Sequence, residues 1–238
     1  MNPNALGVPH ASTLNIKFIY YIATILPFIS VTACWIVYYS FKHWDINYLP
    51  TISLSVSNFP ESRIFAVTMG IECILLIIVL TCRLFSIILA IHQNIGNLQL
   101  IHKLLLFVTF SFGFWPIICL FVFSCVSIRE NYSIHNAAFR IFFIFNSIHY
   151  IIYDLKPQYF CIKNSLLSKL CTWAIIIFII GFVFMNSVRQ GPSQSISSIC
   201  QYFAFAFSFI KIALIARDSP KQLLNLSPTT IHNARNHQ

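Results

Sequence analysis

The residues best suited to chemistry stand just before the fourth apolar run of the chain. Glu130 and His135 lie close together there, in a polar segment of mixed composition. A histidine that titrates near neutral pH beside a carboxylate can act as a general base, although a histidine at a membrane interface is often simply solvated. We predict that His135 is the catalytic base and that Glu130 orients it.

A second histidine extends this candidate site toward the middle of the fourth apolar run. His149 stands about 21 Å beyond His135 along an α-helix and about 40° away in azimuth, so one helix face can carry both. Polar side chains at such depth are costly and usually face other helices. We therefore expect His149, and Glu72 on the second apolar run, to face the interior. For His149 the alternative is a neutral ring hydrogen-bonded to another helix.

The segment between the first and second apolar runs is also polar. Pro60 followed by Glu61 fits an ordinary helix start, because proline suits the first turn and a carboxylate complements the amide-rich N-terminus. The functional interpretation of the same segment is a polar lid that receives a lipid headgroup. Both interpretations place its side chains at one end of a helix bundle.

The composition shows which elements must position these residues. Of 238 residues, 58% are hydrophobic and only 9% are charged, whereas soluble domains carry about 25% charged residues. A soluble enzyme is therefore excluded, and 24 Phe exclude a disordered chain. The net charge of +9 is spread thinly, which argues against nucleic-acid binding. The cysteines and histidines lack metal-site spacing, so no metal, cofactor or disulfide framework is predicted.

Apolar runs of about 20 residues predict membrane-spanning helices, because backbone amides in lipid must be satisfied within the segment. The fold class predicted is all-α, a polytopic membrane bundle with six transmembrane helices. Residues 1–217 form its single domain, with a short polar segment within 1–17, and residues 218–238 form a disordered cytoplasmic tail. The predicted spans are Phe18–Phe41, Ile64–Ile91, Leu104–Ser127, Ala137–Tyr153, Cys171–Ser187 and Ile199–Ala216.

Six spans put both termini on one side of the membrane. Lys and Arg are about twice as frequent on that side as on the other, which favours cytoplasmic termini by the positive-inside rule. The opposite, lumenal side then receives the segments 43–63, 128–136 and 188–198. Three basic residues fall inside the spans, namely Arg83, Arg140 and Lys211. So few charges within the spans make a small transporter the weakest functional hypothesis.

Several of these landmarks occur together in one known family. They are Asn47-Tyr48-Leu49-Pro50 with Ser53, then Pro60 and Gly70, and then Glu130, Tyr132, Ile134-His135, Ala138-Phe139 and His149. The pattern resembles the post-GPI attachment to proteins factor 2 family, within the Frag/DRAM/Sfk superfamily of six-span proteins, over most of residues 14–217. Glu72 stands near the position of a family histidine, and Gln201-Tyr202 stands where the family has an acidic residue before an aromatic one.

The resemblance implies a multi-pass Golgi membrane protein that acts in the lipid remodelling of GPI anchors. The step implied is reacylation of the lyso-GPI intermediate with a saturated chain, by an acyltransferase or an accessory subunit of one. The partners implied are GPI-anchored proteins and their lipid, and the endoplasmic reticulum membrane is the alternative location. Besides His135 and Glu130, the predicted substrate-binding residues are Asn47, Tyr48, Ser53, Glu61, Arg63, Glu72, His149 and Tyr202.

A second function of a different class is kept open by the same residues. It is a non-enzymatic protein that binds lipid or regulates a partner, as in the autophagy-modulating branch of the superfamily. Restoration of saturated GPI lipid in cells that lack this remodelling would favour the first hypothesis, and unchanged lipid with a correctly located protein would favour the second.

Overall fold

The computed structural model describes residues 14–43, 48–95, 99–155, 164–188, 191–218 and 225–226. These residues form an all-helical bundle, which confirms the predicted fold class. Six of the helices in this part of the chain are long, and α2 is a single turn. The helices are α1 Lys17–Ser40, α2 Ile52–Ser55, α3 Glu61–Ile95, α4 Leu100–Cys125, α5 Tyr132–Leu155, α6 Leu166–Val188 and α7 Gly191–Asp218.

Five helices of the described chain are long and apolar enough to cross a membrane, namely α1, α3, α4, α6 and α7. The fourth predicted span, Ala137–Tyr153, lies in α5, which is not among them. The 24 residues of α5 would measure about 36 Å, which is enough to cross. However, it carries polar and charged side chains such as Asn146 and Asp154, and these are buried against protein. These side chains are thus turned inward, where neighbouring helices can satisfy them, whereas Arg140 of the same helix is exposed.

The long helices begin earlier or end later than their apolar runs suggested. The structure makes Gly191 the start of α7, so most of the predicted loop 188–198 is helical. It also starts α5 at Tyr132, and not at residue 137. The cap of α5 is Asn131, whose side-chain oxygen accepts a hydrogen bond from Ile134 N at 3.0 Å. Polar residues thus form complete turns here, because side-chain capping replaces the hydrophobic pattern as the start signal.

The contacts between helices define two ends of the bundle. The ends of α1, α4 and α6 meet the starts of α3, α5 and α7 at what we call the upper end. Two cross-links show this arrangement: the Cys34 thiol lies 3.5 Å from the Glu61 carbonyl, and Ser197 Oγ donates to Phe182 O at 3.2 Å. The described parts of the three segments predicted to share one side of the membrane lie together at the upper end, because Ser53 contacts His135 and Ile52 contacts Gln201 of α7.

The lower end carries both extremities of the described chain. Leu14–Asn15, just before α1, pairs antiparallel with Asn225–Leu226, beyond α7. Asn225–Leu226 belongs to the segment 218–238 predicted to be a disordered tail, and residues 219–224 and 227–238 of that segment are outside the described ranges. The structure thus agrees with an even number of spans, which places both extremities on one side.

Candidate functional site

His135 is the centre of the polar site at the upper end. The residue is only 1% exposed. Its Nδ1 lies 2.8 Å from the carbonyl oxygen of Val126, and its Nε2 lies 2.8 Å from the Ser53 hydroxyl. A carbonyl can only accept, so Nδ1 carries the ring proton and the neutral ring accepts from Ser53 through Nε2. The Ser53 hydroxyl thus faces a neutral base, the His135 ring, and the Val126 carbonyl oxygen fixes the orientation of that ring.

The carboxylate predicted to orient His135 lies elsewhere. Glu130 is exposed and accepts a hydrogen bond from Ser127 N at 2.8 Å, closing the turn between α4 and α5. This bond lowers the pKa of Glu130, and the nearby Arg63 lowers it further. Glu130 therefore does not pair with His135 as expected, and the Val126 carbonyl oxygen orients the ring instead. A short turn satisfies its own amides first, and the spacing of Glu130 and His135 does not reveal this local demand.

Residues 48–57, including α2, cross the upper end and hold Ser53 in place. Ile52 N donates to Gln201 Oε1 at 2.9 Å, and the Tyr202 hydroxyl donates to Pro50 O at 3.2 Å. Thr51 caps α2 by accepting from Leu54 N. These bonds tie the segment to α7, so the position of the Ser53 hydroxyl is set by two separate helices, α5 and α7.

The remaining predicted binding residues of this end are dispersed. Tyr48 is half-buried and Arg63 is exposed on α3, whereas Asn47 lies outside the described residues. Glu61 is fully buried, and its Oε1 lies 2.6 Å from His43 Nδ1. Its carboxylate thus contacts a histidine of the preceding segment. The structure brings only some of the predicted headgroup-binding residues together, and a headgroup site made of all of them stays a prediction.

His149 faces the interior of the bundle, as predicted. Its Nδ1 lies 3.0 Å from Thr109 O on α4, and its Nε2 lies 3.2 Å from Arg83 Nη1 on α3. By the same reasoning as for His135, Nδ1 donates and Nε2 accepts. The Arg83 guanidinium also lies 3.5 Å from the centre of the Tyr153 ring. His149 therefore joins three helices and helps to hold a buried cation.

The two histidines do not line one continuous cleft among the described residues. His149 borders a cavity of about 60 Å³ that also contacts Asn146 and Phe142. His135 borders a separate cavity of about 10 Å³, which we call the inner cavity, together with Ser53 and Phe139. Phe142 of the first cavity contacts Phe123 of the second, with ring centres 5.5 Å apart, so packed aromatic rings separate the two spaces. The predicted column of polar residues is thus divided into two compartments.

Glu72 is fully buried in α3, and neither carboxyl oxygen has a hydrogen-bond partner among the described residues. It lines neither histidine cavity. Its inward orientation agrees with the prediction, whereas its role in substrate binding remains a prediction.

A buried ion pair at the lower end was missed from the sequence. Lys211 Nζ lies 2.8 Å from both carboxylate oxygens of Asp154 and donates to Ser168 O and Oγ at 2.8 and 2.7 Å. Thr172 Oγ1 donates to the same carboxylate at 2.6 Å. The available signal was one acid and one lysine near corresponding ends of two apolar runs, since buried charges require partners.

No curated protein and no solved structure matches the chain. Its match to a family model covers residues 15–221, which include every helix described above, the Ser53–His135 contact and the Asp154–Lys211 pair. The model is described as the Frag1/DRAM/Sfk1/Cwh43P N-terminal domain. It identifies the wider superfamily to which the resemblance pointed, and not one branch of it. A polytopic helical bundle matched over most of its length in this way belongs to the Frag1/DRAM/Sfk1/Cwh43P N-terminal domain family.

Proposed function

We propose that this membrane protein transfers an acyl chain between lipids at its upper end, in the lipid remodelling of GPI anchors. The observation that carries the proposal is the contact of Ser53 Oγ with His135 Nε2, with Nδ1 held by Val126 O. A hydroxyl that donates to a neutral, oriented imidazole is the arrangement that activates serine nucleophiles. Ser53, predicted from the sequence to bind substrate, is therefore proposed as the nucleophile.

The proposed acyl transfer proceeds in two steps, acylation of Ser53 and transfer of the acyl group to the lyso-GPI lipid. Ser53 Oγ attacks the ester carbonyl of a glycerophospholipid while its proton passes to His135 Nε2, and His135 then protonates the departing lysophospholipid oxygen. The acyl group on Ser53 is next attacked by the glycerol hydroxyl of the lyso-GPI lipid. The proton of that hydroxyl passes to His135 and returns to Ser53 Oγ, which restores the starting state.

Gln201 is the candidate donor to the carbonyl oxygen that becomes negative in each step. It is 2% exposed and lines the inner cavity beside Ser53. Its Oε1 is fixed by Ile52 N, so its amide NH₂ group remains to donate. Such a preoriented donor stabilises a tetrahedral intermediate.

We place this chemistry in the Golgi membrane, with the upper end facing the lumen and the termini in the cytoplasm. The support is the bias of Lys and Arg in the sequence and the family resemblance, whose GPI branch acts on lumenal lipid-anchored proteins. The substrate lipid has its headgroup at the interface and its acyl chains among the helices, which suits a reacting pair one turn inside the bundle.

A second candidate function is non-enzymatic lipid binding or regulation. It is favoured by the closure of the inner cavity, whose volume of about 10 Å³ is close to the minimum that holds one water. In that case the Ser53–His135 contact serves to fasten residues 48–57 to α5.

A serine-reactive fluorophosphonate lipid separates the two functions. With purified full-length protein in detergent, we expect a mass increase on the peptide containing Ser53, lost in Ser53→Ala and reduced at least about a hundredfold in His135→Ala, as removal of a general base does. Complementation of cells that lack GPI-lipid remodelling should then fail with both variants at normal protein abundance.

Ser57→Ala is the matched control, because the Ser57 hydroxyl donates only to Leu54 O within its own turn. It should keep both the labelling and the remodelled lipid. Normal GPI lipid in cells expressing folded Ser53→Ala would show that Ser53 is not the nucleophile and would favour the second function.

A further inference from the structure

A wide groove opens on the outer surface of the bundle between α5, α6 and α7, near the upper end. Its volume is about 540 Å³, within the range of about 300 to 1,000 Å³ that is typical of small-molecule sites. We call it the lateral groove. α5 touches α6 much more sparingly than it touches α4, and this loose packing leaves the space. The groove thus faces the position of the surrounding lipid.

The lining of the lateral groove is divided by polarity along the bundle axis. Near the upper end it is polar, with Asn136 on α5 and Asn186 and Ser187 on α6. Deeper along the same helices it is apolar, with Ile144 on α5 and Ile179 on α6. A polar mouth above an apolar trough matches an amphipathic molecule lying parallel to the helices.

Arg140 stands where the two zones meet, on the same stripe of α5 as Tyr132 and Asn136. It is exposed and, within the described part of the chain, has no ion pair or hydrogen bond. The other two basic residues inside spans contact buried polar groups: Arg83 Nη1 lies against His149 Nε2, and Lys211 pairs with Asp154. An arginine at membrane depth without a protein partner has the charge and fork geometry that recognise phosphate.

The lateral groove and the inner cavity share a wall. Phe139 and Gln201 line both spaces, and Phe139 is 7% exposed. Phe139 therefore stands between the groove and the Ser53–His135 pair, with its ring in contact with Phe182 on the groove side and Phe123 on the cavity side. A lipid with its phosphate at Arg140 would have its glycerol esters close to this wall.

We propose that the lateral groove binds one glycerophospholipid, with its phosphodiester on Arg140 and an acyl chain along the α5–α6 trough, and that Phe139 separates its ester from the Ser53–His135 pair. The position of the ester as acyl donor rests on the proposed function. The binding site itself does not, because its residues are distinct from the reacting pair.

Photo-crosslinking tests the site directly. Purified full-length protein in detergent is irradiated with phosphatidylcholine that carries a diazirine in one acyl chain. We expect cross-links on the α5 and α6 residues of the trough, displaced by unlabelled phosphatidylcholine and not by diacylglycerol, which lacks the phosphate. Arg140→Gln should lower the labelling about tenfold, the loss of one charge-assisted contact, and Arg140→Lys should retain part of it.

Two further variants make the result decisive. Arg129→Gln removes an exposed cation at the same end, outside the groove, and should leave the labelling unchanged. Ser53→Ala should also leave it unchanged, so that failure of the acyl-transfer proposal and failure of the binding site give different results. Undiminished labelling in folded Arg140→Gln, equal competition by diacylglycerol, or cross-links to a second copy of the chain in place of lipid would each overturn the inference.

Discussion

Two buried histidines of this protein, His135 and His149, have the same hydrogen-bonding arrangement but different chemical roles. In each, Nδ1 contacts a backbone carbonyl and Nε2 is left to accept. His135 accepts from a hydroxyl and can take its proton, whereas His149 accepts from the guanidinium of Arg83, which does not give up a proton. The partner at Nε2 therefore determines which histidine can act as a base.

The Asp154–Lys211 pair leads to a stability prediction. Lys211→Met should lower the free energy of unfolding by about 3 to 5 kcal/mol, because the Asp154 carboxylate is left buried without its cation. Thermal unfolding in detergent measures this loss. The double variant with Asp154→Leu should recover most of it, since apolar groups of similar size replace the pair well.

The Arg217–Asp218 pair, also at the lower end, is the control for that experiment. It is an ion pair too, but the Arg217 side chain is 47% exposed to solvent. Arg217→Gln should cost less than about 1 kcal/mol, as solvent-exposed ion pairs do. Equal losses from Lys211→Met and Arg217→Gln would contradict the burial argument.

At the scale of elements, α3 and α5 both approach α4 closely at Gly113. A Cβ placed there would lie 2.7 Å from Leu80 Cδ1 and 2.9 Å from His149 Cε1. Leu80 can move, but the His149 ring is held at both nitrogens. Gly113→Ala should therefore destabilise the bundle by about 1 kcal/mol or more, as overpacking does, measured by thermal unfolding.

Gly70 offers the opposite case within α3, because a Cβ there meets nothing within 4 Å. Gly70→Ala should stabilise the protein by about 0.5 to 1 kcal/mol through the lower entropy of alanine in the unfolded chain. If both substitutions stabilise alike, the close approach at Gly113 is not a constraint.

The attachment of residues 48–57 to α7 depends on Gln201. Gln201→Leu removes the acceptor of the buried Ile52 amide, and an unsatisfied amide costs about 1 to 3 kcal/mol. We expect faster hydrogen exchange of the α2 peptide, with the α6 peptide unchanged. Gln201→Glu keeps an acceptor oxygen and should keep the protection; fast exchange in both variants would assign the attachment to other contacts.

The sequence predicts the positions of the helices much better than the contacts within the candidate site. Apolar runs placed the six long helices and grouped the segments of the upper end, because membrane depth leaves a strong compositional signal. The partner of His135 could not be found this way, since Ser53 lies far away in the chain and reaches His135 only through the fold of residues 48–57. Sequence proximity pointed instead to Glu130, which satisfies its own turn.

At the scale of the whole molecule, the proposed orientation predicts where a tag would be reached. A tag after Gln238 should bind antibody once the plasma membrane alone is permeabilised, because the lower end is placed in the cytoplasm. A cysteine-reactive probe restricted to the lumen should label Arg129→Cys at the upper end. Loss of the tag to a lumenal protease would reverse the orientation.

The polarity of α5 has a consequence for how the protein is made. During synthesis α5 leaves the ribosome before α7, and so before Lys211 exists to accompany Asp154. A lone segment with Arg140 and Asp154 partitions poorly from the translocon into lipid. We expect α5 to wait beside the translocon until its later partner arrives, so that a chain released before Lys211 leaves α5 uninserted and is degraded.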